Sequence, residues 1–180
     1  MHAAKRENTD VRKLTGKEVT FAENELIVSK TDTRGIITYA NDIFLKVSGY
    51  TEKEILGKPH NYIRHPDMPH CVFKLQWDTI KDGKEIFAYV VNRAKNGDHY
   101  WVFAHVTPSF DKDGKVIGYH SNRRVPKKEA VKAVEGLYAM LRKEESSHGS
   151  VKAGTDAAFN MLLGILKEKR LSYDEFILSL

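Results

Sequence analysis

The sequence predicts an α+β domain: a five-stranded antiparallel sheet with short helices on one face, continued by C-terminal helices. Three observations predict it. Two short apolar runs flank the turn Thr33-Arg34-Gly35, a series of short helical segments follows, and three longer runs are then separated by Lys95-Asn96-Gly97-Asp98 and Asp111-Lys112-Asp113-Gly114. Strands and helices gathered in separate blocks favour segregated layers over a doubly wound parallel sheet.

Taken in order, residues 1–23 are polar and weakly periodic and read as an N-terminal arm or short helix. Leu26 to Asp32 and Ile36 to Ala40 form the first hairpin. Asn41-Asp42 supplies a cap for a helix to Ser48, with Phe44 and Val47 on one face. Thr51 to Glu54 has capping-box spacing and opens a second short helix, which Gly57-Lys58-Pro59 stops. Residues 71–81 carry Val72, Phe73, Leu75 and Ile80 at helical spacing. Ile86–Arg93, His99–Pro108 and Val116–Arg124 are the remaining strands, with Asn96-Gly97 favouring a tight turn. In the second of these, Tyr100, Val102, Ala104 and Val106 alternate with His99, Trp101, Phe103 and His105. From Pro126 the character changes to helix: 129–142, 156–169 and a piece opened by Ser172 to Glu175. The organisation is therefore an arm (1–23), a domain (24–125) and a helical extension (126–180).

At 180 residues, with 41% hydrophobic and 29% charged residues, the chain suits one globular domain plus an extension. The net charge of +5 is modest. Basic clusters at Arg123-Arg124 with Lys127-Lys128 and at 167–170 are interleaved with acidic residues. They read as solvated faces, so no nucleic-acid partner is expected. No apolar run reaches the roughly 18 residues of a membrane span, and Met1 to Arg6 lacks a signal-peptide core. Cys71 is the only cysteine, which excludes an internal disulfide and a multi-cysteine metal site; a cytoplasmic location is expected. No phosphate-binding glycine loop or His-Glu-x-x-His string is present, and Cys71 has no evident base, so an enzyme is not expected.

The stretch Asn61 to His70 concentrates two His, an Arg, an Asp and two prolines. Proline fixes its own φ and pushes the preceding residue out of the helical region. His65 and Met68 are therefore extended, and Arg64, His65 and Asp67 sit on a stiff backbone suited to the polar wall of a ligand pocket.

Several strings carry a resemblance. They are Tyr39 to Phe44, Val47 to Tyr50, Gly57 to Asn61, Arg64-His65-Pro66-Asp67-Met68-Pro69, and Asn92-Arg93 with Lys95 to Val102. Together they resemble the FAD-binding PAS domains of bacterial aerotaxis receptors over roughly residues 24–142, and most of all the small soluble PAS proteins that work beside a separate chemoreceptor. The resemblance implies a non-covalent FAD between helices and sheet, read as a redox or oxygen sensor for energy taxis. It implies cofactor contacts from Arg64, His65, Asp67, Asn92 and Asn41, with His60 and Trp77 joining the candidate set. A planar ring calls for an apolar slot, for which Ile63, Trp101 and Phe103 are the candidates. The family's tryptophan at the start of the third strand is replaced by Ile86-Phe87-Ala88-Tyr89, so a slot floor rebuilt with Phe and Tyr is expected. The implied partner is a methyl-accepting chemoreceptor or another signalling protein at the inner membrane. The signal is expected to leave through Asn92 and the strand end Tyr119 to Asn122 toward the helix near Lys127.

Two alternatives remain open on the residues alone. A haem b sensor of oxygen or another diatomic gas would use one of several histidines, His70 being the best placed axial ligand. A ligand-free dimerisation module would use the apolar stripes of 130–142 and 159–166, which also favour a homodimer.

Overall fold

The structure is a computed structural model, and it describes residues 14–180. In chain order it contains β1 (Ile27–Thr31), β2 (Ile37–Ala40), α1 (Asp42–Ser48), α2 (Glu52–Ile55), a 3-10 turn (His60–Ile63), α3 (His70–Lys81), β3 (Ile86–Arg93), β4 (His99–Phe110) and β5 (Val116–Arg124). Then follow α4 (Lys128–Ser146), α5 (Val151–Lys169) and α6 (Tyr173–Leu178). The five strands lie in the order β2-β1-β5-β4-β3. All pairs are antiparallel, and β5 joins the first hairpin to the second by pairing with both β1 and β4.

Register decides which side chains share a face, because successive residues of a strand point to opposite sides. Asn92 lies opposite Tyr100, Ala104 opposite Arg123, Val106 opposite Ser121, and Ser121 opposite Ser29. These residues form one face, which α1 and α3 cover: Trp77 meets Tyr119 edge-on, and the Arg123 guanidinium lies over the Phe44 ring. The other face carries Phe87, Tyr89, Trp101, Phe103 and His105, and α4 reaches it. Tyr138 Oη donates to Tyr89 O at 2.6 Å, and its ring lies beside Trp101.

Local signals place these elements. Asn41 Oδ1 accepts from Phe44 N and Val28 N, while its Nδ2 donates to Leu26 O. One side chain thus caps α1 and ties it to the start of β1. The capping boxes Thr51/Glu54 and Ser172/Glu175 form as the sequence predicts. The helix α4 runs beyond its predicted limits at both ends, and α5 starts earlier than predicted, at Val151, while ending at the expected Lys169; only a short link is left at Ser147 to Ser150.

A continuous apolar core runs from Ile27, Phe44 and Ile63 through Val102 to Leu141, Leu162 and Ile177. The helices after residue 126 therefore share the core of the sheet domain. The stripes expected at a dimer contact are largely occupied within the chain: Val134, Leu137, Leu141, Leu162 and Leu166 are buried, while Met140, Met161 and Leu163 stay exposed. Residues 15–19 run along the second hairpin, with Thr15 N donating to Gly97 O and Val19 N to His99 O. Residues 1–13 of the expected arm lie outside the described residues.

At the α4–α5 link the two helices approach closely at Gly154. A Cβ at Gly154 would lie 2.1 Å from Glu145 O, a separation no substitution can keep. Gly154→Ala is expected to destabilise the protein by about 2 kcal/mol, read as a lower denaturation midpoint at unchanged slope; an unchanged midpoint would show that the two helices separate freely.

Candidate functional site

Two cavities flank the Arg64 to Asp67 segment. The first, about 280 Å³, lies between α3 and the inner face of the sheet. Its apolar walls are Phe73, Trp77, Ile80, Val106 and Tyr119, and its polar groups include Ser29, His60, Asn61, Arg64, Gln76 and Ser121. No carboxylate lines it. The second, about 430 Å³, lies on the opposite face against α4, between His65, Asp67, His99, Trp101, Tyr138 and Arg142.

Alternation along the extended segment produces this split. Arg64 bridges backbone to backbone with Asn92 at the edge of β3. Its guanidinium turns inward onto the face of Phe73, 4.0 Å from the ring centroid. His65, only 6% exposed, turns the other way. Its Nδ1 accepts from Asp67 N at 3.1 Å, and its ring lies beside His99. Asp67 pairs with Arg142 of α4. Pro66 and Asp67 then turn the chain, and Met68 reaches back so that Val91 N donates to its sulfur at 3.3 Å.

Behind the first cavity stands Arg123, 2% exposed. Its Nη2 donates to Ser29 Oγ at 2.5 Å and to His60 Nε2 at 2.7 Å. Burial, reinforced by the charges of Arg123 and Arg64, pushes the His60 imidazole down to about 3, so it is neutral at physiological pH. Burial likewise lowers Arg123 to about 10. Four buried polar atoms on this side have no hydrogen-bond partner in the protein: Arg64 Nε, Asn92 Nδ2, Tyr100 Oη and Arg123 Nη1. Three are N–H groups that can only donate. Unsatisfied buried groups cost about 1–3 kcal/mol each, and such a cluster beside a cavity fits a ligand with an acceptor-rich edge.

Of the residues expected from sequence, His60, Arg64 and Trp77 line the first cavity. Asn92 is buried on the same face and Ile63 is in the core. Asn41 is consumed by its cap. His65, Asp67 and Trp101 belong to the second cavity, and Phe103 lies on the outer face against Tyr89 and Phe87. The expected single slot of Ile63, Trp101 and Phe103 is thus divided by the sheet. Phe87 and Tyr89 also point outward, leaving Ala88 rather than a rebuilt aromatic floor toward the cavity side. Arg123, expected on a solvated face, is buried; the alternation of Tyr119, Ser121 and Arg123 is the signal that could have found it.

His70 lies outside both cavities. Half exposed at the start of α3, its Nδ1 sits 3.0 Å from Glu145 Oε2, and Glu145 Oε1 accepts from Cys71 N at 2.8 Å. Its place at Glu145 turns it away from both cavities, whereas His60 lines the first and His65 and His99 line the second. Among the described residues, no cluster of three or more metal-ligating side chains is present. Cys71 is buried, and burial together with Glu145 pushes its thiol up to about 12, so it is no nucleophile.

Residues 37–123 match the PAS fold family. The aerotaxis receptor of Escherichia coli (strain K12) is 44% identical over 134 residues, which are 74% of this chain and 26% of that protein. The chain carries a PAS domain. The nitrogen fixation regulatory protein of Klebsiella pneumoniae is 27% identical over 54% of the chain and 20% of its own length. The chain thus spans about a quarter or less of these relatives. Among solved structures, the dark state of the blue-light photoreceptor Aureochrome1 LOV superposes with a TM-score of 0.55 at 22% identity, over 63% of this chain and 85% of that one, which establishes the shared fold. This PAS domain is a signal-transduction module, and no helix among its described residues is long and apolar enough to cross a membrane.

Glu145 gives the site a testable acid limb. Burial raises its carboxyl, but the hydrogen bonds from His70 and from the backbone at Cys71 and His70 outweigh that and hold it below the usual value. A carboxyl lowered by folding stabilises above its unfolded pKa, and the contribution is lost as pH falls through the folded value. Stability of the α3–α4 contact is therefore expected to drop below about pH 4. Glu145→Gln should flatten that limb in melting temperatures measured from neutral pH downward, and an unchanged limb would assign it elsewhere.

Proposed function

We propose that this PAS domain binds FAD non-covalently in the first cavity and reports redox or oxygen state by protein contact to a membrane chemoreceptor. The observation carrying this reading is an apolar, aromatic-walled slot whose lining holds the unpaired buried Nε of Arg64 and no carboxylate, with two further unpaired N–H donors, of Asn92 and Arg123, buried on the same face of the sheet. A flavin offers a planar ring whose edge presents carbonyls and ring nitrogens, together with anionic phosphates. At about 280 Å³ the cavity lies just below the roughly 300–1,000 Å³ typical of ligand sites, which suits a ring system rather than a whole dinucleotide. The non-covalent mode is supported by Cys71, the only cysteine, being buried outside the cavity lining, its thiol pushed up by burial and by Glu145. When bound, the flavin supplies an electron-accepting group whose charge and protonation change on reduction.

The protein's own part is to hold that ring and pass on the change. Trp77, Tyr119 and Phe73 would flank it and exclude water, while Arg64, Asn92 and His60 would meet its polar edge. Arg64 also ties the cavity to its exterior: the same stiff segment carries Asp67, paired to Arg142 of α4, and Arg64 feels the charge of Glu145 at the start of α3. A shift of Arg64 would therefore reach α4 through the short backbone link to Asp67 and its ion pair with Arg142. The partner class rests on the aerotaxis receptor, a much longer protein, as the relative.

The purified protein should be yellow and bleach on reduction; a colourless protein that takes up no added FAD or FMN would sink the reading. Arg64→Met should weaken flavin affinity about tenfold or more, the loss of a charge-assisted hydrogen bond, in a fluorescence titration. Arg142→Met should leave flavin binding within about threefold but abolish the redox-dependent change in protease cleavage of α4. Equal cleavage in oxidised and reduced wild-type protein would refute this exit route.

A further inference from the structure

We propose that Arg123 is a positioning residue that fixes His60 as a permanent hydrogen-bond donor toward the occupant of the first cavity. A guanidinium carries donors and no acceptor. With its Nη2 2.7 Å from His60 Nε2, that ring nitrogen must supply its lone pair. The imidazole is therefore neutral and carries its proton on Nδ1. His60 lines the cavity and Arg123 stands behind it, so the ring is held from the rear.

The guanidinium itself has little freedom. Arg123 pairs in register with Ile27 of β1 and Ala104 of β4, and its Nη2 is shared with Ser29 Oγ. The charged and titratable groups facing the pair are Arg64 from the segment after the 3-10 turn, Arg123 from β5 and Tyr100 from β4. None is a carboxylate, so nothing near His60 favours its protonation. An ordinary histidine can switch tautomer to suit either a donor or an acceptor, and this one cannot. Together with the Arg64 guanidinium it gives this part of the cavity wall fixed donors, beside the adaptable hydroxyls and amides of Ser29, Asn61, Gln76 and Ser121: at His60 the wall meets lone pairs and rejects N–H groups. Such a site discriminates strongly, since a mismatched ligand would leave two donors facing each other unpaired.

The ligand's identity here rests on the flavin reading, but the tautomer does not. Nitrogen-15 correlation spectra of the labelled protein read it directly, with His60 assigned by its disappearance in His60→Gln. Wild type should show His60 protonated on Nδ1 and not titrating between about pH 5 and about pH 8. In Arg123→Met, His60 should titrate in that range or populate the Nε2–H tautomer; Arg123→Lys, which keeps a donor-only cation, should preserve the wild-type pattern and serves if the methionine variant does not fold. An Nε2–H or titrating His60 in wild type overturns the proposal, as does an unchanged tautomer in folded Arg123→Met. In FAD titrations, His60→Phe should bind about tenfold more weakly, while His60→Gln, which keeps an amide donor, should stay within about threefold. Undiminished binding by His60→Phe overturns the donor role while leaving the flavin reading intact. If wild type binds no flavin, that reading fails alone, and the nitrogen spectra still decide the tautomer.

Discussion

Arg123 places a cation in the middle of the domain without a carboxylate beside it, and much of the site is arranged around that. An isolated buried charge is costly unless its donors are met. Here Ser29 and His60 each meet the same nitrogen, and the Phe44 face lies under the guanidinium. One nitrogen remains unmet beside the equally unmet Tyr100 hydroxyl. The neighbouring groups are the Arg64 guanidinium and neutral hydrogen-bonding side chains, so the interior keeps a net positive character. A cavity against such a wall is biased toward electron-rich ligands before any particular contact is made.

The second organising feature is the stiff segment Arg64 to Met68. Pro66 holds Arg64-His65 extended, which sends these two side chains in opposite directions, and the turn at Pro66-Asp67 then brings Asp67 round to the side of His65. A single string thus furnishes Arg64 to a cavity on one face and His65 and Asp67 to another. Sensing and output need not be linked through a long path when adjacent residues touch both. The helix α4 then gathers the outward contacts: Tyr138 on β3, Arg142 on Asp67, and Glu145 on the start of α3.

Much of this was legible in the residues. Strand order, the two turn strings, the capping residues and the polar string at 64–67 follow from local patterns, and β3 and β5 run to the limits the pattern predicts. The side of the sheet was less legible. The alternation of His99 to Val106 was visible, yet a planar ligand seemed to call for Trp101 and Phe103, and the register puts them opposite Asn92's face. Chemistry of residue type pointed one way and period two pointed the other, and the period decides because the pleat is covalent geometry. Arg123 was missed for a related reason: beside Arg124 it looks like a surface cluster, and only its place two residues after Ser121 marks it as inward. The burial of α4 and α5 was missed because an amphipathic stripe looks the same whether it faces its own domain or a second copy.

The outer edge of β3 brings these features together. Edge strands expose unpaired backbone groups that invite another chain to add itself. Here Tyr138 satisfies the Tyr89 carbonyl, Met68 the Val91 amide, and the Arg64 backbone bridges at Asn92. The string that furnishes the cavity wall and the helix packed against it are also the stopper on that edge. Any rearrangement large enough to release them would uncover a strand ready for intermolecular pairing, so solubility itself limits how far the sensing segment can travel, and favours small displacements over unfolding as its working stroke.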